Sequence, residues 1–186
     1  MIEISVLPGV AAQKSFGGDT LNTAVYLSRL GLPVEYVTAL GQDPYSSEML
    51  AAWQAEKVGT ELVACVADRV PGLYMISTDD AGERSFHYWR DQAPAREVFD
   101  GDEGAKLADT LADFGGLYFS GITLSILSDK GRSNLRRAAL AVRSAGGHVI
   151  FDGNFRPRGW PDYQTAQAVF ENFMPAMSLA LPTLDD

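Results

Sequence analysis

Three small groups of residues in this 186-residue chain carry side chains that could do chemistry. In "FDGNFRPR", residues 151–158, Asp152, Asn154 and Arg156 alternate. On extended backbone a period of two sets all three on one side. An arginine clamps planar anions through paired hydrogen bonds, and a carboxylate offers hard oxygen to Mg²⁺, so the triplet reads as a metal or phosphate site. A solvated loop with a surface ion pair accounts for it equally. In "SFGGDTLN", residues 15–22, Gly17 and Gly18 precede Asp19 and Asn22 at the opening of an apolar-periodic run. Bare backbone beside a helix mouth lets a ligand approach main-chain donors. A tight turn with an N-cap is the plainer account of the same residues. Tyr74, Tyr88 and Arg90 form the third group. Two hydroxyls on rigid aromatic bodies suit a polyol and the guanidinium suits a carboxylate, although a hairpin packing aromatics on its own sheet would need the same residues.

The elements that must position these groups alternate between helical and strand periods, the pattern of an α/β fold with a mainly parallel sheet. Leu21, Ala24, Val25 and Leu30 recur at helical spacing, with Asp19 as N-cap and Gly31 as stop. "VEYVTALG" reads as a buried strand, and Met49, Leu50 and Trp53 mark one face of a helix over 46–57. Residues 62–90 hold only short β-prone runs, and the turn segment "TDDAGER" predicts a hairpin of Leu73 to Thr78 with Arg84 to Trp89. Further on, the periods predict a helix over 103–113 and a strand entering a loop at "LYFSGITL". A basic-faced helix over 129–145, a buried strand at "HVIFDGN" and a last strand at "AMSLALPT" follow.

Acidic residues outnumber basic ones 24 to 15, for a net charge of −9, which argues against nucleic acid as a partner. No apolar run spans a bilayer and "MIEISVLPGV" lacks the pattern of a secretion signal, so the expectation is a cytoplasmic protein without a membrane partner. Cys65 is the single cysteine, expected as a small buried strand residue, and with only His87 and His148 beside it no zinc cluster of usual spacing assembles. The phosphate loop G-x-x-x-x-G-K-[ST], the dinucleotide fingerprint G-x-G-x-x-G and the nucleophile elbow G-x-S-x-G are all missing.

Gly17-Gly18, Asn22, Ala24, Gly31 and Gly41 resemble the N-terminal signature of the ribokinase-like carbohydrate kinases. "GGDTLNTAVYLSRLG", "VTALGQDPYS", "GLYMISTDDAGERSFHYWR", "LYFSGITLSILS", "VIFDGNFRPRGW" and "LPTLDD" extend the resemblance in collinear order over essentially the whole chain, toward the members that act on 2-dehydro-3-deoxy sugar acids. That resemblance implies a partial three-layer α/β/α core over residues 1–186 with a small β-sheet lid, its segments at about 10–16 and 61–99. It implies transfer of the γ-phosphoryl of ATP, with Mg²⁺, to the terminal hydroxyl of a small-molecule sugar acid, and a homo-oligomer joined through the lid. Carried over residue by residue, the sugar contacts are Gly17, Gly18, Asp19, Asn22, Tyr74, Tyr88, Arg90 and Arg156. Asn154 and Arg156 face the phosphates, and Asp152 lies near the metal. The first core strand is expected to be cut short, and the family's base and anion hole are expected beyond Asp186. On that expectation the chain holds no catalytic residue and shows little turnover alone. Two other readings stay open, a non-catalytic carbohydrate-binding remnant and a kinase for a neutral sugar; Arg90 beside the tyrosines favours an acid.

Overall fold

The computed structural model describes residues 1–6, 11–79 and 81–183. Val10 at the start of the expected lid segment, Asp80 in the hairpin turn and the last three residues of "LPTLDD" lie outside them. The chain divides into two compact units, Met1–Arg96 and Glu97–Asp186.

In the first unit the order is β1 (Ile2–Val6), β2 (Gln13–Phe16), α1 (Asp19–Arg29), β3 (Thr38–Gly41), α2 (Pro44–Ala55), β4 (Val63–Val66), β5 (Leu73–Thr78) and β6 (Arg84–Trp89). A four-stranded sheet runs β2-β1-β5-β6, with β1 parallel to β5 and both outer pairs antiparallel; β3 and β4 form a separate parallel pair. The hairpin β5–β6 has the limits that its alternation predicts. Ile2, Leu21, Ala24, Leu40, Met49, Trp53 and Val58 make the core, with Ile4, Phe16 and Leu73 packed on it. One face of the four-stranded sheet is thereby committed to the core.

Local chemistry explains the joints. Pro44 opens α2 where its missing N–H costs nothing, and Asp43 caps it by accepting from the N–H groups of Tyr45 and Ser46 at 2.9 and 3.1 Å. Burial pushes the Asp43 carboxyl upward, but the bonds from the Ser46 hydroxyl and these two N–H groups outweigh it and hold the pKa below its ordinary value. The strand expected at "VEYVTALG" shortens to Thr38–Gly41, with Glu35 making only an isolated bridge to Gly59. Cys65 is exposed, against the expectation of burial. Of its strand β4, Val63 packs against the core and the other three residues are exposed.

The second unit continues with α3 (Gly101–Leu111), β7 (Gly116–Ser120), α4 (Gly121–Ile126), α5 (Asp129–Ser144), β8 (His148–Asp152), α6 (Tyr163–Phe173) and β9 (Leu179–Leu181). Its sheet is parallel, in the order β7-β8-β9. Phe119, Phe151 and Phe173 meet at 5.4 to 5.5 Å between ring centres, over Leu135, Ala138, Val142 and Val149. Two elements differ from the sequence reading. The segment after β7, expected as a loop, is α4, because Ser120 and Thr123 form a capping box that gives its first N–H groups partners. Helix α6 escaped the reading altogether; Asp162 caps it by accepting from Thr165 N–H at 2.6 Å. No helix among the described residues is long and apolar enough to cross a membrane.

Candidate functional site

The residues with the most organised chemistry lie on the face of the four-stranded sheet turned away from the core. Strand pairing aligns Ser15, Glu3, Tyr74 and Tyr88 in one row across β2, β1, β5 and β6. The Glu3 carboxylate accepts from the Ser15 hydroxyl at 2.9 Å, from Ser5 at 3.4 Å, and from the Tyr74 hydroxyl on its other oxygen. Burial, reinforced by this bond to Glu3, pushes the Tyr74 hydroxyl above the ordinary tyrosine pKa, so it stays protonated at any physiological pH. Its ring lies 5.9 Å from that of Tyr88, and Phe86 stacks on Tyr88 with ring centres 6.5 Å apart. The Arg90 guanidinium sits 4.6 Å over the Tyr88 ring. Neither the Arg90 cation nor the Tyr88 hydroxyl has an ion-pair or hydrogen-bond partner among the described residues.

The two glycines serve this row differently. A Cβ at Gly17 would stand 2.5 Å from the Tyr74 hydroxyl oxygen and 3.1 Å from the Glu3 carboxylate, so only glycine lets the tyrosine lie against the chain. Gly18 has φ +154°, a conformation that side chains disfavour, and it is the N-cap of α1, its carbonyl accepting from Asn22 N–H at 2.9 Å. This corrects the expected cap. Asp19 is the first helical residue, where its charge favours the helix dipole, and Asn22 is the fourth and exposed. Thr20 is structural: its hydroxyl pairs with Tyr36 at 3.0 Å, and burial pushes the Tyr36 pKa up to about 12.

In the second unit Asp152 closes β8 and accepts from the Tyr118 hydroxyl of β7 at 3.0 Å. The expected alternation of Asp152, Asn154 and Arg156 fails, because Asn154 takes φ +36° and breaks the extended backbone. Arg156 is exposed and donates to the Phe155 carbonyl at 2.8 Å. Phe155 is held edge-on between Tyr163 and Phe170, which pins the loop. Among the described residues no three His, Cys, Asp or Glu side chains gather into a metal-binding group. A single carboxylate is still compatible with Mg²⁺, which keeps several waters and takes its other ligands from phosphates.

Sequence reasoning missed Glu3, Ser15 and Tyr118. Glu3 was legible in principle: "IEIS" alternates apolar and polar, which places Glu3 and Ser5 opposite the core face.

Residues 5–186 match the pfkB family of carbohydrate kinases. The chain belongs to that family. This pfkB-family chain is 45% identical over 190 residues to the 2-dehydro-3-deoxygluconokinases of Escherichia coli K12 and Dickeya dadantii, covering all of itself and 61% of each relative. A crystal structure of a PfkB protein from a Polaromonas species superposes with a TM-score of 0.87 at 25% identity, over 100% of this chain and 63% of that one. The pfkB-family chain therefore spans about three fifths of the length of the curated relatives it matches.

Proposed function

We propose that the β2-β1-β5-β6 sheet is the lid of a 2-dehydro-3-deoxygluconokinase and that its polar face holds the sugar-acid acceptor. The carrying observation is Arg90, a guanidinium stacked on Tyr88 without a carboxylate among the described residues, in a chain 45% identical along its whole length to proteins of that name. A planar fork held against an aromatic face is suited to bind the acid's carboxylate in two parallel hydrogen bonds. The Tyr88 hydroxyl and the Gly18 N–H offer polar contacts to the sugar hydroxyls, with Asp19 and Asn22 at the helix mouth, while Gly17, whose N–H and carbonyl are both bonded to Met1, supplies close approach only. Tyr74 acts as a fixed wall whose proton is committed to Glu3.

The whole protein would move the γ-phosphoryl of ATP to the acceptor's terminal hydroxyl, forming the new P–O ester bond as the bond to the bridging oxygen breaks and ADP leaves. Arg156 and Asn154 are proposed to contact phosphate oxygens, and Asp152 to hold Mg²⁺ beside them. When bound, the metal would neutralise charge on the transferring group. Tyr118 orients the Asp152 carboxylate for that role.

Calorimetry of the 186-residue chain with 2-dehydro-3-deoxy-D-gluconate tests the reading. Arg90→Ala should weaken binding by about 1.5 to 3 kcal/mol, the value of a hydrogen bond to a charged group. Fructose, lacking the carboxylate, should bind poorly and show no dependence on Arg90. Unchanged affinity in the variant overturns the assignment.

A further inference from the structure

The basic face of α5 is not used by the proposed reaction. Asp129, Arg132, Ser133, Arg136, Arg137 and Leu140 follow the i, i+3, i+4 spacing of one helical face and line, with Val169, Asn172 and Phe173 of α6, a cavity of about 510 Å³. Each guanidinium in it is aimed by a main-chain carbonyl. Arg132 donates to Leu124 O at 2.8 Å, Arg136 to Asn172 O at 2.7 Å and Arg137 to Ala105 O at 2.7 Å. Carbonyl anchors fix direction without cancelling charge. Arg132 also meets Asp129 and Arg137 meets Asp109, but both carboxylates are largely exposed, at 99% and 68%, so water screens them. Arg136 has no carboxylate partner among the described residues.

Three oriented guanidinium groups beside two screened carboxylates leave a positive pocket on a chain whose net charge is −9. Guanidinium forks match the oxygen spacing of phosphoryl groups. Leu140 and Val169 give the same cavity an apolar wall over the buried Phe173, and its volume is in the range of small-molecule sites. We propose that the groove between α5 and α6 binds a phosphorylated small molecule, its phosphoryl group on Arg136 and Arg132 and its organic body against the apolar wall. The inference does not depend on the acceptor's identity. It assigns a second ligand site, on elements other than the hairpin and the loop after β8.

Calorimetry of the 186-residue chain at constant ionic strength, with inorganic pyrophosphate and with glucose 6-phosphate as probes, decides it. The expected result is saturable binding of one probe molecule per chain, weakened roughly tenfold to a hundredfold by Arg136→Ala. Because Arg136 also serves the Asn172 carbonyl near the end of α6, a second variant keeps the test clean. Ser133→Asp places a carboxylate in the groove from an exposed position without removing any anchor, and should weaken binding at least as much. Lys130→Ala, which removes a cation from an exposed position of α5 outside the groove, should leave the groove's affinity unchanged. Absence of saturable binding, or binding indifferent to Ser133→Asp and Arg136→Ala, would mean that the arginines only cap helix ends, and would overturn the proposal. Binding abolished by Lys130→Ala but not by Ser133→Asp would overturn it too.

Discussion

Gly17→Ala is the most demanding probe of the polar row. The added Cβ would lie 2.5 Å from the Tyr74 hydroxyl oxygen, roughly an ångström inside ordinary contact of about 3.5 Å. Gly17 lies outside the left-handed region, so alanine adds no backbone strain and the clash is the destabilising effect. Tyr74 cannot swing aside freely: it is only 8% exposed and its hydroxyl is bound to Glu3. Overpacking of this kind costs about 1 to 3 kcal/mol, and pulling the hydroxyl from a carboxylate adds about 1.5 to 3. Tyr74→Phe removes the clashing atom and should cost about 1 to 2 kcal/mol alone, since Ser15 and Ser5 still serve Glu3. In the double variant the methyl group has room, so its cost should fall short of the sum by about 1 to 2 kcal/mol. Urea titrations followed by far-UV circular dichroism supply the four free energies of the cycle. Gly18→Ala is the control, because its φ of +154° penalises alanine whatever stands at position 74. If Gly17→Ala and Tyr74→Phe add within about 0.5 kcal/mol, the hydroxyl is not what excludes a side chain at Gly17, and the argument fails.

Two further outcomes follow from the joints of the fold. Asp43→Ala should cost about 1 kcal/mol near neutral pH through loss of the α2 cap. The Asp43 pKa is depressed on folding, so its contribution is complete above the ordinary carboxyl value of about 3.9 and disappears as pH falls through the lower folded value. The gap between wild type and Asp43→Ala in pH-dependent unfolding should therefore close below about pH 4; a constant gap would mean that charge plays no part. Cys65, exposed on β4, should react with dithiobis(nitrobenzoate) in native buffer as fast as in urea, whereas protection would place it in a packed layer.

Much of this protein is decided by its sequence alone. The hairpin limits, the helices α1, α2, α3 and α5, and the strands β7 and β8 follow from periodicity and turn chemistry, which act over a few neighbouring residues. The misses have the same cause. Asp19 looks like a cap because capping is local, yet the cap falls on Gly18, whose backbone angle answers to the whole entry of α1. Asp152, Asn154 and Arg156 look aligned until Asn154 turns to φ +36°. Cys65 looks buried because its type usually is, yet it lies in the exposed part of β4, where Val63 is the residue packed on the core. Above all, the row of Ser15, Glu3, Tyr74 and Tyr88 joins residues up to 85 positions apart, from Glu3 to Tyr88, and depends on strand register. A shift of one residue would turn every one of these side chains to the opposite face, so that choice belongs to tertiary packing of Ile2, Ile4 and Leu73 on the core.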